Sequence, residues 1–247
     1  RPSEVDLLQA FARQAALAIE NAELYEDIRR NYYETVRALT IAIEAKDSAT
    51  YSHSTRVTQL AAQLAEVLGI TDQEELELLR FGATLHDIGK IGVAEGVLDA
   101  RDGPEENQVF YRMHPLIGRS ILQPITFLQP ILPVVVSHHE NWDGSGFPEG
   151  LKGTQIPRMA RLVAVVDRYE RLINPGPGSY RVGLSPREAI SVILGEAGSR
   201  FDPEIVAAFH RMMTHPQTGP SGSPEDRAVT RASEVVPGDP LGGAVPE

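Results

Sequence analysis

Between Val5 and Lys46 the chain contains no glycine and no proline. Within that run the apolar positions Leu17, Leu24, Ile28, Tyr32, Val36, Leu39 and Ile43 step by sevens, fours and threes, which marks one face of a helix. About 40 residues of helix extend roughly 60 Å, more than a compact domain uses. A parallel dimeric coiled coil is the natural use of such a stripe. The competing reading is a long helix packed against its own domain.

The rest of the chain also reads as helical. Val57, Leu60, Ala61, Leu64 and Leu68 share a helical face that Gly69 stops, with Ser48, Ser52 and Ser54 as candidate N-caps near His53. Thr71 and Glu74 read as a capping box. The helix they open runs through Leu76, Leu79, Phe81 and Ala83 to His86 and Asp87, and Gly89 and Gly92 end it. Residues 105–122 read as two short helices broken at His114-Pro115. An apolar helix from Ile131 to His139 delivers a histidine pair, and a Gly/Pro loop spans Gly144 to Pro157. A further apolar helix, Ile156 to Tyr169, contains Asp167, and Asn174 to Ser179 must be a loop. Ser185-Pro186 and Asp202-Pro203 open the last two helices, the second ending near Met213. From residue 214 Pro, Gly, Ser and charge dominate and periodicity vanishes, so 214–247 reads as a disordered tail. Strand signals are nearly absent, and the fold class is all-α.

Composition narrows the chemistry. The absence of cysteine removes disulfides, thiolate-zinc sites and cysteine nucleophiles, so metal ligands must come from His, Asp and Glu. The net charge of −11 argues against nonspecific nucleic-acid binding, but not against a nucleotide held by local cations. No apolar run approaches the roughly 18 residues of a membrane span, so no membrane contact is expected of this fragment. The chain opens at Arg1 and reads as an excised cytoplasmic fragment, without a signal peptide.

The chain has seven histidines. His210 and His215 fall at the end of the last helix and read as surface residues. His53, His86, His114, His138 and His139 fall at helix ends or turns, beside the acids Asp87 and Asp167. Burying them without a shared purpose would leave several polar groups to satisfy at high cost. Imidazole and carboxylate together suit iron, manganese, nickel or zinc. One Asp can bridge two metals, and a metal pair clamps an in-line phosphoryl displacement.

The segments Leu85-His86-Asp87-Ile88-Gly89-Lys90, His114-Pro115, His138-His139-Glu140-Asn141-Trp142-Asp143-Gly144-Ser145-Gly146-Phe147-Pro148 and Asp167 resemble the HD-GYP family of metal-dependent phosphodiesterases of the HD superfamily. The likeness runs from about Lys46 to Met213. It implies a helical bundle that hydrolyses cyclic di-GMP to linear pGpG or GMP. It also implies that His53, His86, Asp87 and Asp167 hold one metal, and that Asp87 bridges to a second held by His114, His138 and His139. A bridging hydroxide would attack phosphorus, with Lys90 facing a substrate phosphate, and iron would be the leading metal. Asp143, Gly144, Gly146, Phe147, Pro148 and Arg181 would line the substrate side. The 143–148 loop would also be the surface that meets diguanylate cyclase domains. Ala12 to Tyr25 (ARQAALAIENAELY) resembles the last helix of a GAF sensor domain, which implies a signalling helix over 1–45, dimeric, feeding the domain at 46–213.

The resemblance has departures. Members with a third metal carry a Glu four residues before the His53 position, where this chain has Ala49. A two-metal site is therefore expected. The tyrosine of the family's name is Phe147, which keeps the ring and loses the hydroxyl. In the segment after Asp167, Glu170 replaces a second Asp, the first arginine has no counterpart, and Arg181 matches the final one. Three readings follow: the phosphodiesterase, a degenerate module binding the dinucleotide or a partner without turnover, and a phosphohydrolase of another nucleotide. Bland alternatives stand beside individual residues. Lys90 suits a helix C-terminus, Asp143-Gly144 a turn, and Trp142 a packing anchor.

Overall fold

A computed structural model describes residues 3–46, 53–93, 109–175 and 182–214. Ser48, Ala49, Ser52, Arg181, His215, most of the Asn174–Ser179 loop and the tail beyond Thr214 lie outside the described residues. The all-α expectation holds: among the described residues no strand forms, only an isolated bridge between Ala197 and Phe201. The principal helices are α1 (Glu4–Lys46), α2 (His53–Val67), α3 (Gln73–Leu85), α4 (His114–Leu122), α5 (Leu132–Ser137), α6 (Arg158–Ile173), α7 (Pro186–Gly195) and α8 (Pro203–Thr214). Short 3-10 turns at Ile88–Gly92 and Thr126–Ile131 link α3 to the site and α4 to α5.

Two apolar clusters hold the bundle. The larger joins Val57 and Leu64 of α2, Leu79 of α3, Leu162 and Val165 of α6, Ile193 of α7 and Phe209 of α8. The smaller joins Val36 of α1 to Phe81 and Leu85 of α3, Leu122 of α4, and Leu128 and Val135. Helices α3 and α5 belong to both, since Leu79 and Val134 face one cluster while Phe81 and Val135 face the other. Each buried large aliphatic side chain contributes about 1.5–3 kcal/mol, so the two ends of α3 and α5 are firmly placed. The residues that follow those ends are His86-Asp87 and His138-His139.

Helix α1 divides into two parts. Tyr32 stacks on Phe127 with centroids 3.9 Å apart, Val36 is buried and Leu39 packs on the smaller cluster. This end of the stripe serves its own domain. Leu17, Leu24 and Ile28 stay exposed, with Val5, Leu8 and Phe11 before them. The helix has 43 residues and so extends roughly 64 Å.

Some helix boundaries differ from expectation. The N-cap of α3 is Asp72, whose carboxylate accepts from Glu75 N–H at 2.8 Å, rather than Thr71 with Glu74. Residues 109–111 are helical, Arg112-Met113 form a turn, and His114-Pro115 opens the second of the two expected helices, with Pro115 in its first turn, where a missing N–H costs nothing. The Ser185 cap is as expected: Ser185 accepts from Glu188 N–H, and Glu188 reaches back to Ser185 N–H. Helix α6 begins at Arg158 and runs to Ile173, four residues past the expected end at Tyr169.

Candidate metal centre

Five helices deliver chemistry to one buried point. His53 comes from the start of α2, His86 and Asp87 from the end of α3, and His114 from the start of α4. His138 and His139 follow α5, and Asp167 lies in α6. All seven are buried. They form two sets of four, within each of which one ligand atom per residue lies within 4.8 Å of the others: His53, His86, Asp87 and Asp167, and Asp87, His114, His138 and His139. Asp87 belongs to both.

Hydrogen bonds fix which nitrogen each imidazole presents. His86 Nδ1–H donates to Ala83 O at 2.7 Å, His114 Nδ1–H to Tyr111 O at 2.7 Å, and His138 Nδ1–H to Val135 O at 2.9 Å. A neutral ring that spends its proton at Nδ1 turns a bare Nε2 inward, which is how proteins orient metal-ligating histidines. Burial keeps His114 low and pushes His138 down to about 4, so both are neutral. Their Nε2 atoms nevertheless face each other at 3.3 Å, lone pair toward lone pair. His86 Nε2 and Asp87 Oδ1 are buried without any hydrogen-bond partner. Such atoms each cost about 1–3 kcal/mol if left so. Lone pairs turned together and orphaned ligand atoms fit a bound cation, and the donor set of imidazole and carboxylate fits a first-row divalent metal.

The carboxylates are held ionised. Burial opposes the charge on Asp87, but Lys90, His86 and Arg171 keep it well below the usual range; burial likewise opposes Asp167, which Arg171 and His53 hold down. Burial also opposes the charge on His86, yet Asp87 and Asp167 raise it to about 9, so until a cation arrives its Nε2 carries a proton between the two acids, and a metal would take that proton's place. Lys90 is itself buried, with Nζ 2.7 Å from Asp87 Oδ2. Its cation therefore sits on the shared carboxylate rather than serving as an exposed helix terminus.

The 138–148 stretch is folded around Glu140, whose carboxylate accepts the N–H groups of Glu149, Gly150 and Leu151. This loop brings Phe147 onto His139, centroids 4.8 Å apart and the rings inclined by 30°, with Arg112 over the Phe147 ring at 5.5 Å. Gly146 lies where a Cβ would come within 2.2 Å of Asn141 N. Gly144 has φ +87° in the turn that Asp143 closes by accepting from Ser145 N–H, and Asp143 itself is exposed. Pro148 follows in a half-buried position. Trp142 packs under Arg161, 5.7 Å from its guanidinium carbon.

Four further residues reach the centre. Glu170, buried on α6, accepts from His53 Nδ1–H and from Arg56 Nε at 2.6 Å. Arg171 bridges Asp167 and Asp87. The Tyr111 hydroxyl lies 3.4 Å from His139 Nε2. Glu170 and Arg171 fall beyond the expected end of α6. The uninterrupted polar-apolar run to Ile173 was the available signal, since Arg171 stands one turn after Asp167 at the i,i+4 spacing that pairs charges. An arginine thus enters the site from α6 itself, one turn after Asp167.

Residues 37–205 match the HD domain family. Among curated relatives, a cyclic di-GMP phosphodiesterase response regulator of Xanthomonas campestris pv. campestris is 34% identical over 205 residues, covering 81% of this chain and 53% of the relative. A cyclic di-GMP phosphodiesterase of Thermotoga maritima is 35% identical, covering 76% and 50%; a 3'3'-cGAMP-specific phosphodiesterase of Vibrio cholerae is 30% identical, covering 83% and 40%. The chain thus spans about half the length of the curated relatives it matches. Among solved structures, a cyclic GMP-AMP specific phosphodiesterase of V. cholerae shares the fold, with a TM-score of 0.61 at 19% identity over 80% of this chain and 52% of that one. By the reach of the family match, from the end of α1 into α8, this chain belongs to the HD domain family.

Proposed function

We propose that the protein is a metal-dependent phosphodiesterase that hydrolyses cyclic di-GMP to linear pGpG or GMP, with two divalent cations sharing Asp87. The observation that carries this reading is the pair of four-residue sets meeting at Asp87, with three histidine Nε2 atoms turned inward by carbonyl contacts. The named activities of the relatives support the substrate class. Iron is the leading metal, with manganese, nickel and zinc as alternatives, since the ligands are imidazole and carboxylate. When bound, two such cations supply hydroxide near neutral pH and stabilise both oxygens of an in-line displacement.

The chain's own groups do the rest. Glu170 holds the His53 ring through Nδ1, and Phe147 packs against the His139 ring, so two ligands are oriented from outside the centre. Lys90, buried beside Asp87, is a fixed positive charge where negative charge grows on the phosphoryl group. In the hydrolysis water's oxygen would join phosphorus as the bond from phosphorus to the sugar oxygen breaks. The sugar oxygen would leave with a proton from that water, and the ring would open. Phe147, Pro148 and the glycines of the same loop form the substrate side, with Asp143; Arg181, which the family resemblance adds, lies outside the described residues. The loop at 143–148 is also the surface offered to a diguanylate cyclase domain.

Turnover tests this. Protein prepared anaerobically with Fe(II) or Mn(II) is expected to convert cyclic di-GMP to pGpG or GMP, and a His86→Ala, Asp87→Ala double variant to form neither. Two metals per chain with no product would replace the enzyme by a binding module, whose weak point is the hydroxyl missing at Phe147.

The N-terminal helix fits a cytoplasmic sensor arrangement in which a GAF-like domain passes its signal through a dimeric coiled coil. Exposed Leu17, Leu24 and Ile28 supply the seam. Light scattering is expected to give a dimer for the chain and a monomer once the residues before Asn31 are removed; a monomer in both cases would rule the seam out. Among the described residues no helix is long and apolar enough to cross a membrane.

A further inference from the structure

The two acids of the His53 set are joined by a side chain that cannot be a metal ligand. Arg171 donates from Nε to Asp167 Oδ1 at 2.7 Å and from Nη2 to Asp87 Oδ2 at 2.6 Å. One planar guanidinium therefore spans both carboxylates of that set, using the fork geometry that suits carboxylate oxygens. Both acids are buried, with side chains 3% and 6% exposed, while the Arg171 side chain keeps 23% exposure. Lys90 Nζ shares Asp87 Oδ2. Two carboxylates thus already face two side-chain cations, and a divalent ion entering here meets a neutralised site.

The second set is different. Its share of Asp87 is Oδ1, which lies 3.3 Å from His114 Nε2 and 3.7 Å from His138 Nε2 and accepts no hydrogen bond. No guanidinium has to leave that oxygen before a cation arrives. A positive charge a few ångströms from a metal in a partly dry site opposes binding strongly. Arg171 is also placed to move: it lies two residues before the end of α6, with part of its side chain in solvent.

We propose that Arg171 is a tethered counter-cation of the His53–His86–Asp87–Asp167 set, which neutralises the two acids until a divalent ion displaces it, so that the two halves of the centre load unequally. The His114 half fills first and the His53 half is the labile one. The inference rests on the metal reading above and adds to it a difference in affinity between the two halves, with the residue that sets it.

The test is a Mn(II) titration of the whole chain, followed by calorimetry and by the electron paramagnetic resonance signal of unbound Mn(II). The parent is expected to bind in two classes. Arg171→Met, which keeps an apolar stem of similar reach, is expected to tighten the weaker class at least about tenfold and leave the tighter class within about twofold. Arg171→Lys, whose ammonium cannot span both acids, is expected to fall between. Asp167→Ala should erase the class that Arg171→Met tightens. Metal-free Arg171→Met should melt below the parent and gain more on adding Mn(II). If Arg171→Met folds poorly without metal, Arg171→Lys carries the comparison by itself. Two classes in the parent that neither substitution moves would overturn this inference alone. No Mn(II) bound by the parent or by either variant would overturn the metal reading with it.

Discussion

Asp87→Asn is expected to cost the protein both metals. Asp87 is the one residue common to the two ligand sets, and the exchange keeps its shape while removing the charge that a shared cation needs. Under saturating Mn(II) the parent should carry two ions per chain, Asp87→Asn none, and Asp167→Asn one. Turnover of cyclic di-GMP should fall by at least a factor of about 100 in Asp87→Asn, because even an outer-shell partner of a metal ligand is worth about 10–100-fold. Replacement by Ala would be a poorer probe. Either exchange leaves Lys90 and Arg171 without the charge at Asp87 Oδ2, which costs about 3–5 kcal/mol, but Ala would also remove the oxygen they bond and leave a cavity. Elemental analysis of dialysed protein reads the stoichiometry directly. Two ions retained by Asp87→Asn would mean that the two sets do not meet at this carboxylate.

Six of the ligands lie at or beside helix ends and Asp167 lies inside an apolar helix, and it was the resemblance of these segments to a known family that grouped all seven. His86-Asp87 closes an apolar run that Gly89 and Gly92 terminate, and His138-His139 closes another before a Gly-rich loop. The structure brings all seven expected ligands to one point. What sequence did not reveal lies one turn further along. The end of α6 was placed at Tyr169, but nothing in Glu170-Arg171-Leu172-Ile173 stops a helix, and the nearest proline is Pro175. The extra turn adds Glu170, behind His53, and Arg171, across the two acids. Tyr111 and Arg56 escaped for another reason. Their partners, His139 and Glu170, are 28 and 114 residues away, and periodicity within one helix carries no information about such pairs. The stripe on α1 was read as one seam, yet burial splits it. Val36 and Leu39 meet the domain, and Leu17, Leu24 and Ile28 stay exposed. A heptad pattern shows that a face is apolar without showing what covers it.

Gly89→Ala, which replaces no ligand, is expected to be the most damaging of the Gly→Ala changes among the described residues. The 3-10 turn at Ile88–Gly92 lies directly against the first turn of α4, and a Cβ on Gly89 would stand 1.8 Å from His114 O and 2.6 Å from Gly118 N. Both obstacles are backbone, so no rotamer change relieves them. Overpacking against side chains costs about 1–3 kcal/mol, and here the cost should exceed that range, because α4 must move as a body. Moving α4 displaces His114 and thereby the second ligand set. Two other glycines calibrate the effect. A Cβ on Gly118 would meet Val135 Cγ1 at 2.8 Å, a side chain with some room to yield, and Gly118→Ala should fall within that 1–3 kcal/mol. Gly195, the last residue of α7, has nothing within 4 Å and an ordinary backbone, so Gly195→Ala should be neutral or stabilising by about 0.4–1 kcal/mol. Urea denaturation of the three variants reads the order, and metal content of whatever Gly89→Ala protein remains folded reads the second consequence. A Gly89→Ala protein as stable as Gly195→Ala, still binding two ions, would show that α4 and the turn are not in contact. The ordering matters for the chemistry, because it means that His114 is placed by the approach of two backbones, and glycine at 89 is what allows that approach.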